Sequence, residues 1–161
     1  MKEEHKNYPE KIFHKFFINN PSQCLRGAEI LGSEVVLHKA LKLLSRDFLE
    51  SKKGRTHGIG RIDIIFRSCS VEYIAEIKYY PYSNNEFWDA LKVVGYAAYF
   101  NWIKDCQCKY KPAILMPIEK IKLEHQIVAG RLGITLFGIT KEQNNFKLKK
   151  ITDTPIWKQN I

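Results

Sequence analysis

The 161-residue chain of 18.9 kDa carries 26 Lys and Arg against 17 Asp and Glu, a net charge of +9. Its hydrophobic share of 45% and charged share of 27% are those of an ordinary globular domain and exclude collagen-like, mucin-like and wholly disordered chains. No apolar run approaches the roughly 20 residues of a membrane helix, and the charged start MKEEHKNYPEK lacks the apolar centre of a secretion signal.

The expectation is therefore one intracellular, cytoplasmic domain over 1–161 with no membrane partner. Residues 1–80 hold 14 basic and 10 acidic groups, and residues 81–161 hold 12 and 7. The surplus belongs to the folded body, as in a protein that binds phosphate backbones. Cys24, Cys69, Cys106 and Cys108 lack the paired C-x₂₋₄-C spacing of structural zinc and read as free thiols.

In chain order, Pro9 to Ile18 place Ile12, Phe13, Phe16 and Phe17 on one helical stripe, with Pro9 suited to a first turn. Asn19-Asn20-Pro21 breaks it. Residues 1–25 thus read as an N-terminal helical extension that either covers the sheet or supplies a homodimer surface. A longer helix is expected from about Ala28 to about Glu50, with Ile30, Leu31, Leu37, Leu41, Leu44 and Phe48 at helical spacing. SKKGRTHGIG reads as a basic loop. The period then changes to two: RIDIIFR and VEYIAEIKYY form a β-hairpin. Asn84 or Asn85 caps a third helix, Glu86 to Asp105, with Phe87, Leu91, Val94 and Ala98 as its inner stripe. PAILMPI is a buried strand, IEKIKLEHQIVAGRLG a helix ending at glycine, and ITLFGI another buried strand. FKLKKI, in a C-terminal extension over 141–161, alternates like an edge strand with a cationic outer face. The order predicts an α/β fold with a central mixed sheet flanked by helices.

Strand alternation puts Arg61, Asp63, Ile65 and Arg67 on one face of the first hairpin strand and Glu72, Ile74, Glu76 and Lys78 on one face of the second. Keeping the two apolar faces together requires an even-numbered loop. A tight primed turn wants glycine, so a four-residue loop, Ser68 to Val71, is expected. The resulting register sets Asp63 beside Glu76 and Arg61 beside Lys78. Adjacent carboxylates repel unless a cation lies between them, and a hard divalent ion with oxygen ligands fits. Lys78 would orient or help deprotonate a water there. The competing reading is a solvated salt-bridge ladder. Glu34, inside the apolar stripe of the long helix, is costly to bury unpaired. It is a third acid of the site, a carboxylate solvated at the helix end, or a partner for His38.

These residues resemble the PD-(D/E)XK nuclease superfamily: Glu34 on a first helix, GRID with Asp63 on a strand, and EIK (Glu76, Ile77, Lys78) on the next. The helix from Glu86 to Asp105, the strand from Lys111 to Pro117 and AGRLGITLFGI resemble the elements that follow, so the likeness covers residues 28–140. Ile62 stands where the family name has proline, and the family's glutamine on the post-hairpin helix has no evident counterpart; Lys92 and Tyr96 occupy the equivalent surface. The resemblance implies a restriction endonuclease-like α-β-β-β-α-β core. It implies Mg²⁺ or Mn²⁺ held by Asp63, Glu76, the Ile77 carbonyl and Glu34, with Lys78 positioning the water that hydrolyses a phosphodiester. Lys52, Lys53, Arg55, His57, Arg61, Lys92 and Tyr96 would contact nucleic acid, chiefly its backbone. With little room for a sequence-reading module, the expectation is a structure-selective DNA endonuclease, similar to archaeal-type Holliday junction resolvases. The alternatives are an RNA-cleaving nuclease, or a non-catalytic nucleic-acid-binding domain of the same fold in which Trp88 or Trp102, if exposed rather than packed in the core, serve as stacking platforms.

Overall fold

The computed structural model describes residues 9–36, 60–79, 86–103 and 110–152. Six strands form one open mixed sheet in sequential order: β1 (Glu29–Val36), β2 (Arg61–Ser68), β3 (Val71–Ile77), β4 (Tyr110–Pro117), β5 (Thr135–Glu142) and β6 (Asn145–Thr152). β1, β2 and β3 run antiparallel in turn, β4 and β5 lie parallel to β3, and β6 returns antiparallel to β5. Parallel neighbours need long crossovers. One contains α3 (Glu86–Asp89), a 3₁₀ turn (Ala90–Lys92) and α4 (Val93–Ile103); the other contains α5 (Leu123–Leu132).

Both faces of the sheet are covered. On one, α1 (Pro9–Asn19) and the single turn α2 (Pro21–Cys24) bring the fully buried Phe13 and Phe17 onto Phe66, Tyr73, Phe137 and Phe146. The Phe17 and Phe66 rings meet edge-on at 5.2 Å. On the other, Phe87, Ala90, Val93, Ala97 and Phe100 pack with Ile65, Ile74, Ile114 and Met116. Alternation in β2 and β3 therefore separates two cores, where a core face and a solvated face were expected. The terminal segments are structural parts: α1 covers the sheet and β6 completes it, burying Phe146 and Leu148 while Lys147, Lys149 and Lys150 face outward. No helix among the described residues is long and apolar enough to cross a membrane.

Three local expectations change. Residues 29–36 form strand β1, not the start of a helix; the rest of the expected helix, with His38, lies outside the described residues. EILGSEVV carries Ile30, Val35 and Val36 with Gly32 and Ser33 at its centre, a composition poor for helix and suited to a pleated edge. A bulge at Ile30/Gly32 and the positive φ of Glu34 (+50°) bend the strand. The hairpin loop is also shorter than expected. Ser68 pairs with Val71, leaving only Cys69 and Ser70 in the turn, both at positive φ (50° and 66°). The turn is thus of the primed kind without glycine, and because two is also even, the register is the expected one. Finally, the inner stripe of the third helix is out of phase with the expectation. The 3₁₀ turn, with three residues per turn, brings Val93 and Ala97 onto the core, leaving Leu91 and Val94 half-buried and Ala98 exposed.

Gly133 (φ +70°) ends α5 as expected. Cys24 is a free thiol in the core, pushed up to about 12 by burial; Cys69 is free and exposed. Cys106 and Cys108 lie outside the described residues.

Replacing Ser70 by glycine removes the strain of a side chain in the left-handed region, which costs roughly 1–2 kcal/mol. Ser70→Gly is expected to gain about 1 kcal/mol, read as a higher urea midpoint at unchanged slope. A lowered midpoint would contradict the primed turn.

Candidate active site

The ladder between β2 and β3 runs from Ser68↔Val71 to Ile64↔Ala75 and stops, whereas β3 stays paired with β4 through Ile77↔Leu115. The Lys78 N–H continues that pairing by donating to the Leu115 carbonyl at 2.8 Å. The sheet therefore forks one step beyond Ile64↔Ala75, where the register sets Asp63 across from Glu76. At the fork the Asp63 carboxylate replaces the missing strand acceptor: its Oδ2 receives the Ile77 N–H at 2.8 Å. Glu76 shares its strand face with Ile74, in the core under segment 86–103; Ile62 and Ile65, on either side of Asp63, both pack in that core too, and the Asp63 charge acts on Glu76 directly.

Glu76 is 2% exposed. Its Oε2 lies 3.9 Å from Lys78 Nζ and 3.7 Å from Lys92 Nζ, while no hydrogen-bond partner among the described residues reaches Oε1. Burial first, and the neighbouring Asp63 second, push the Glu76 carboxyl up to about 7, against the opposing pull of Lys92 and Lys78. Near neutral pH it therefore sits between protonated and charged, one proton or one cation short of neutrality. This buried acid is no member of a solvated ladder. A ladder does occur at the closed end of the hairpin, where Arg67 bridges Glu72 at 2.9 Å and Glu29 at 3.3 Å.

Lys92 and Tyr96, expected as nucleic-acid contacts, form the wall of the site. Lys92 closes the 3₁₀ turn and reaches from there to Glu76; its ammonium lies 6.0 Å from the centre of the Tyr96 ring. That ring rests against Gly60, where an added Cβ would come within 2.3 Å of the phenol oxygen. The glycine of GRID thus lets α4 close over the entry to β2. The direct approach of Lys92 to Glu76 was not visible in the spacing, because it depends on the helix phase.

Glu34 sits on a strand where a helix was expected. The flanking pairs Ser33↔Ile64 and Val35↔Ile62 put it across from Asp63, but its carboxylate pairs with Arg61 at 3.7 Å, and both side chains are more than half exposed. No group of three His, Cys, Asp or Glu side chains among the described residues converges on a metal position, so Glu34 is not gathered with the dyad. Lys52, Lys53, Arg55 and His57 lie outside the described residues. His125, although buried, serves as a helix cap: its Nδ1 accepts the Lys122 N–H at 3.1 Å, its ring stacks on Phe87 at 4.4 Å, and burial lowers its pKa.

No family model, curated protein or solved structure matches the chain. The chemistry of the site rests on its own residues.

The raised carboxyl has a measurable consequence. The folded state holds the Glu76 proton up to about 7, against 4.5 for an ordinary carboxyl. The stability from this group is therefore complete below 4.5 and lost as pH rises through about 7. Glu76→Gln removes that loss. In chelator, the variant's stability advantage is expected to grow across this window by on the order of 1–3 kcal/mol, measured by urea unfolding at several pH values. Parallel profiles for the two proteins would show that Glu76 is not strained.

Proposed function

We propose that the protein is a metal-dependent nuclease of the PD-(D/E)XK kind that hydrolyses phosphodiester bonds in DNA and selects its substrate by shape. The carrying observation is the carboxylate pair at the fork of the sheet, half-buried Asp63 beside buried Glu76: among the described residues one Glu76 oxygen has no hydrogen-bond partner, and two ammonium groups lie within 4 Å of the other. The element order supports the reading. Among the described residues, α1 and the turn α2, three antiparallel strands, a helical crossover and a parallel strand occur in that order, with Asp63 on the second strand and Glu-Ile-Lys at the end of the third. The leading helix is α1, not one bearing Glu34.

The residues fit a hard divalent cation. Magnesium is commonly held by one or two carboxylates and keeps several waters, without an all-protein cage. Asp63, Glu76 and the Ile77 carbonyl at the end of β3 make a suitable oxygen set, and the orphaned Glu76 oxygen supplies the vacant lone pairs. Bound Mg²⁺ or Mn²⁺ would activate water and neutralise charge on the phosphate. Glu76 would hold such a cation as the carboxylate, its proton passing to solvent. Lys78 donates a hydrogen bond that orients the attacking water, and Lys78 with Lys92 offsets the negative charge that grows on the phosphoryl oxygens. Glu34 stays outside the proposed ligand set, holding Arg61 beside it. The net charge of +9 draws the polyanion to the site. Because α1 is committed to the sheet, a homodimer of resolvase type would have to use another surface.

The decisive experiment incubates the protein with supercoiled, linear, single-stranded and four-way-junction DNA, with Mg²⁺ or EDTA. Cleavage is expected with metal alone; Asp63→Asn abolishes it and Lys78→Ala lowers it about 100-fold or more, while DNA affinity in EDTA changes little. Tight binding without metal-dependent cutting of any substrate would favour a binding domain. Affinity itself should fall about a thousandfold or more between 50 and 200 mM salt if several phosphates are contacted. A flat salt response would contradict backbone contacts.

A further inference from the structure

The outer side of segment 86–103 carries two indoles that the core does not cover. Phe87, Ala90, Val93, Ala97 and Phe100 are buried. Beside them Trp88, Lys92 and Trp102 are exposed and Tyr99 is half-buried, while the Tyr96 ring turns to Gly60. Trp88 is 44% and Trp102 66% exposed. Large aromatic side chains normally contribute buried area, so two indoles in water on one helix call for a ligand. Both are braced. Trp88 meets Phe87 edge-on at 5.2 Å and His125 at 6.1 Å; Trp102 lies 5.7 Å from Tyr99, itself half-buried against the core. The pair spans about 20 Å. Lys92 lies between the two in sequence, one turn from Trp88, with its ammonium 3.7 Å from Glu76.

We propose that this pair of indoles is a stacking platform for single-stranded DNA crossing the candidate active site, so that the substrate is DNA with an unpaired arm or gap rather than intact duplex. The inference deepens the nuclease reading and rests on it for the path over Glu76. Bases inside a duplex have both faces covered by their neighbours. A free ring therefore gains area only on an unstacked base, and it does so without regard to sequence. The cation among the rings suits the phosphates that link successive bases, within a protein of net charge +9. Gly95 and Ala98 are exposed on the same segment and leave the indole faces open to a stacked base.

The test uses the full chain in EDTA, so that nothing is cut. A labelled oligo(dT) of about 20 nucleotides and a duplex of equal length are titrated by fluorescence anisotropy. The single strand is expected to bind more tightly. Trp102→Ala and Trp88→Ala should each weaken single-strand binding roughly 5- to 100-fold and leave duplex binding within about twofold, while Trp102→Phe retains most of the affinity. Both indoles are exposed, and an unchanged melting curve for each variant verifies folding. Equal single-strand affinity of wild type and both alanine variants, or equal losses on duplex and single strand, would overturn the platform. The two readings fail separately. No metal-dependent cutting by the wild type, together with ring-dependent single-strand binding, removes the nuclease and keeps the platform. Metal-dependent cutting of arm-bearing DNA that ignores both ring variants removes the platform and keeps the nuclease.

Discussion

Two carboxylates held against each other, one of them buried, are the constraint around which this molecule is arranged. The register sets Asp63 and Glu76 opposite each other at the point where β3 leaves β2 and follows β4. A closed ladder there would have supplied main-chain partners. The fork instead gives the Ile77 N–H to Asp63 and leaves one Glu76 oxygen with no partner among the described residues. Such a pair is unfavourable in isolation. Two lysines offset part of the charge and burial resists the remainder, so the Glu76 carboxyl keeps its proton up to about 7.

The second core makes that site possible. Had segment 86–103 not packed on the face that carries Glu76, the dyad would be a solvated pair of little energetic consequence. Covering the face desolvates Glu76 and delivers Lys92 to it. On the same segment Trp88 and Trp102 remain in water. One element therefore closes the site from above and offers a surface beside it. Gly60 allows the closure, because any side chain at that position would displace Tyr96.

The hairpin was legible because two independent rules agreed. Period-two alternation in RIDIIFR and VEYIAEIK defines the faces, and an even turn preserves them, whether the turn holds two residues or four. Its true length was hidden because Cys69 and Ser70 adopt positive φ without glycine, a strained choice that composition does not announce. Glu29–Val36 read as helix because its apolar residues join those that follow at helical spacing; pairing with β2 overrode that local preference. The phase of the third helix was lost to one 3₁₀ turn, which moved Val93 and Ala97 inward and left Val94 and Ala98 behind.

Composition, alternation and turn parity in the chain alone thus determined the α/β class, the hairpin and the pairing of Asp63 with Glu76, since each depends on neighbours a few residues apart. Tertiary structure alone decided that Glu34 lies on a strand turned to Arg61, that Glu76 is buried, that Lys92 reaches it and that Trp88 and Trp102 stay in water. Those outcomes depend on which layer covers which face of the sheet, a question settled by packing between segments far apart in sequence, where local periodicity carries no information.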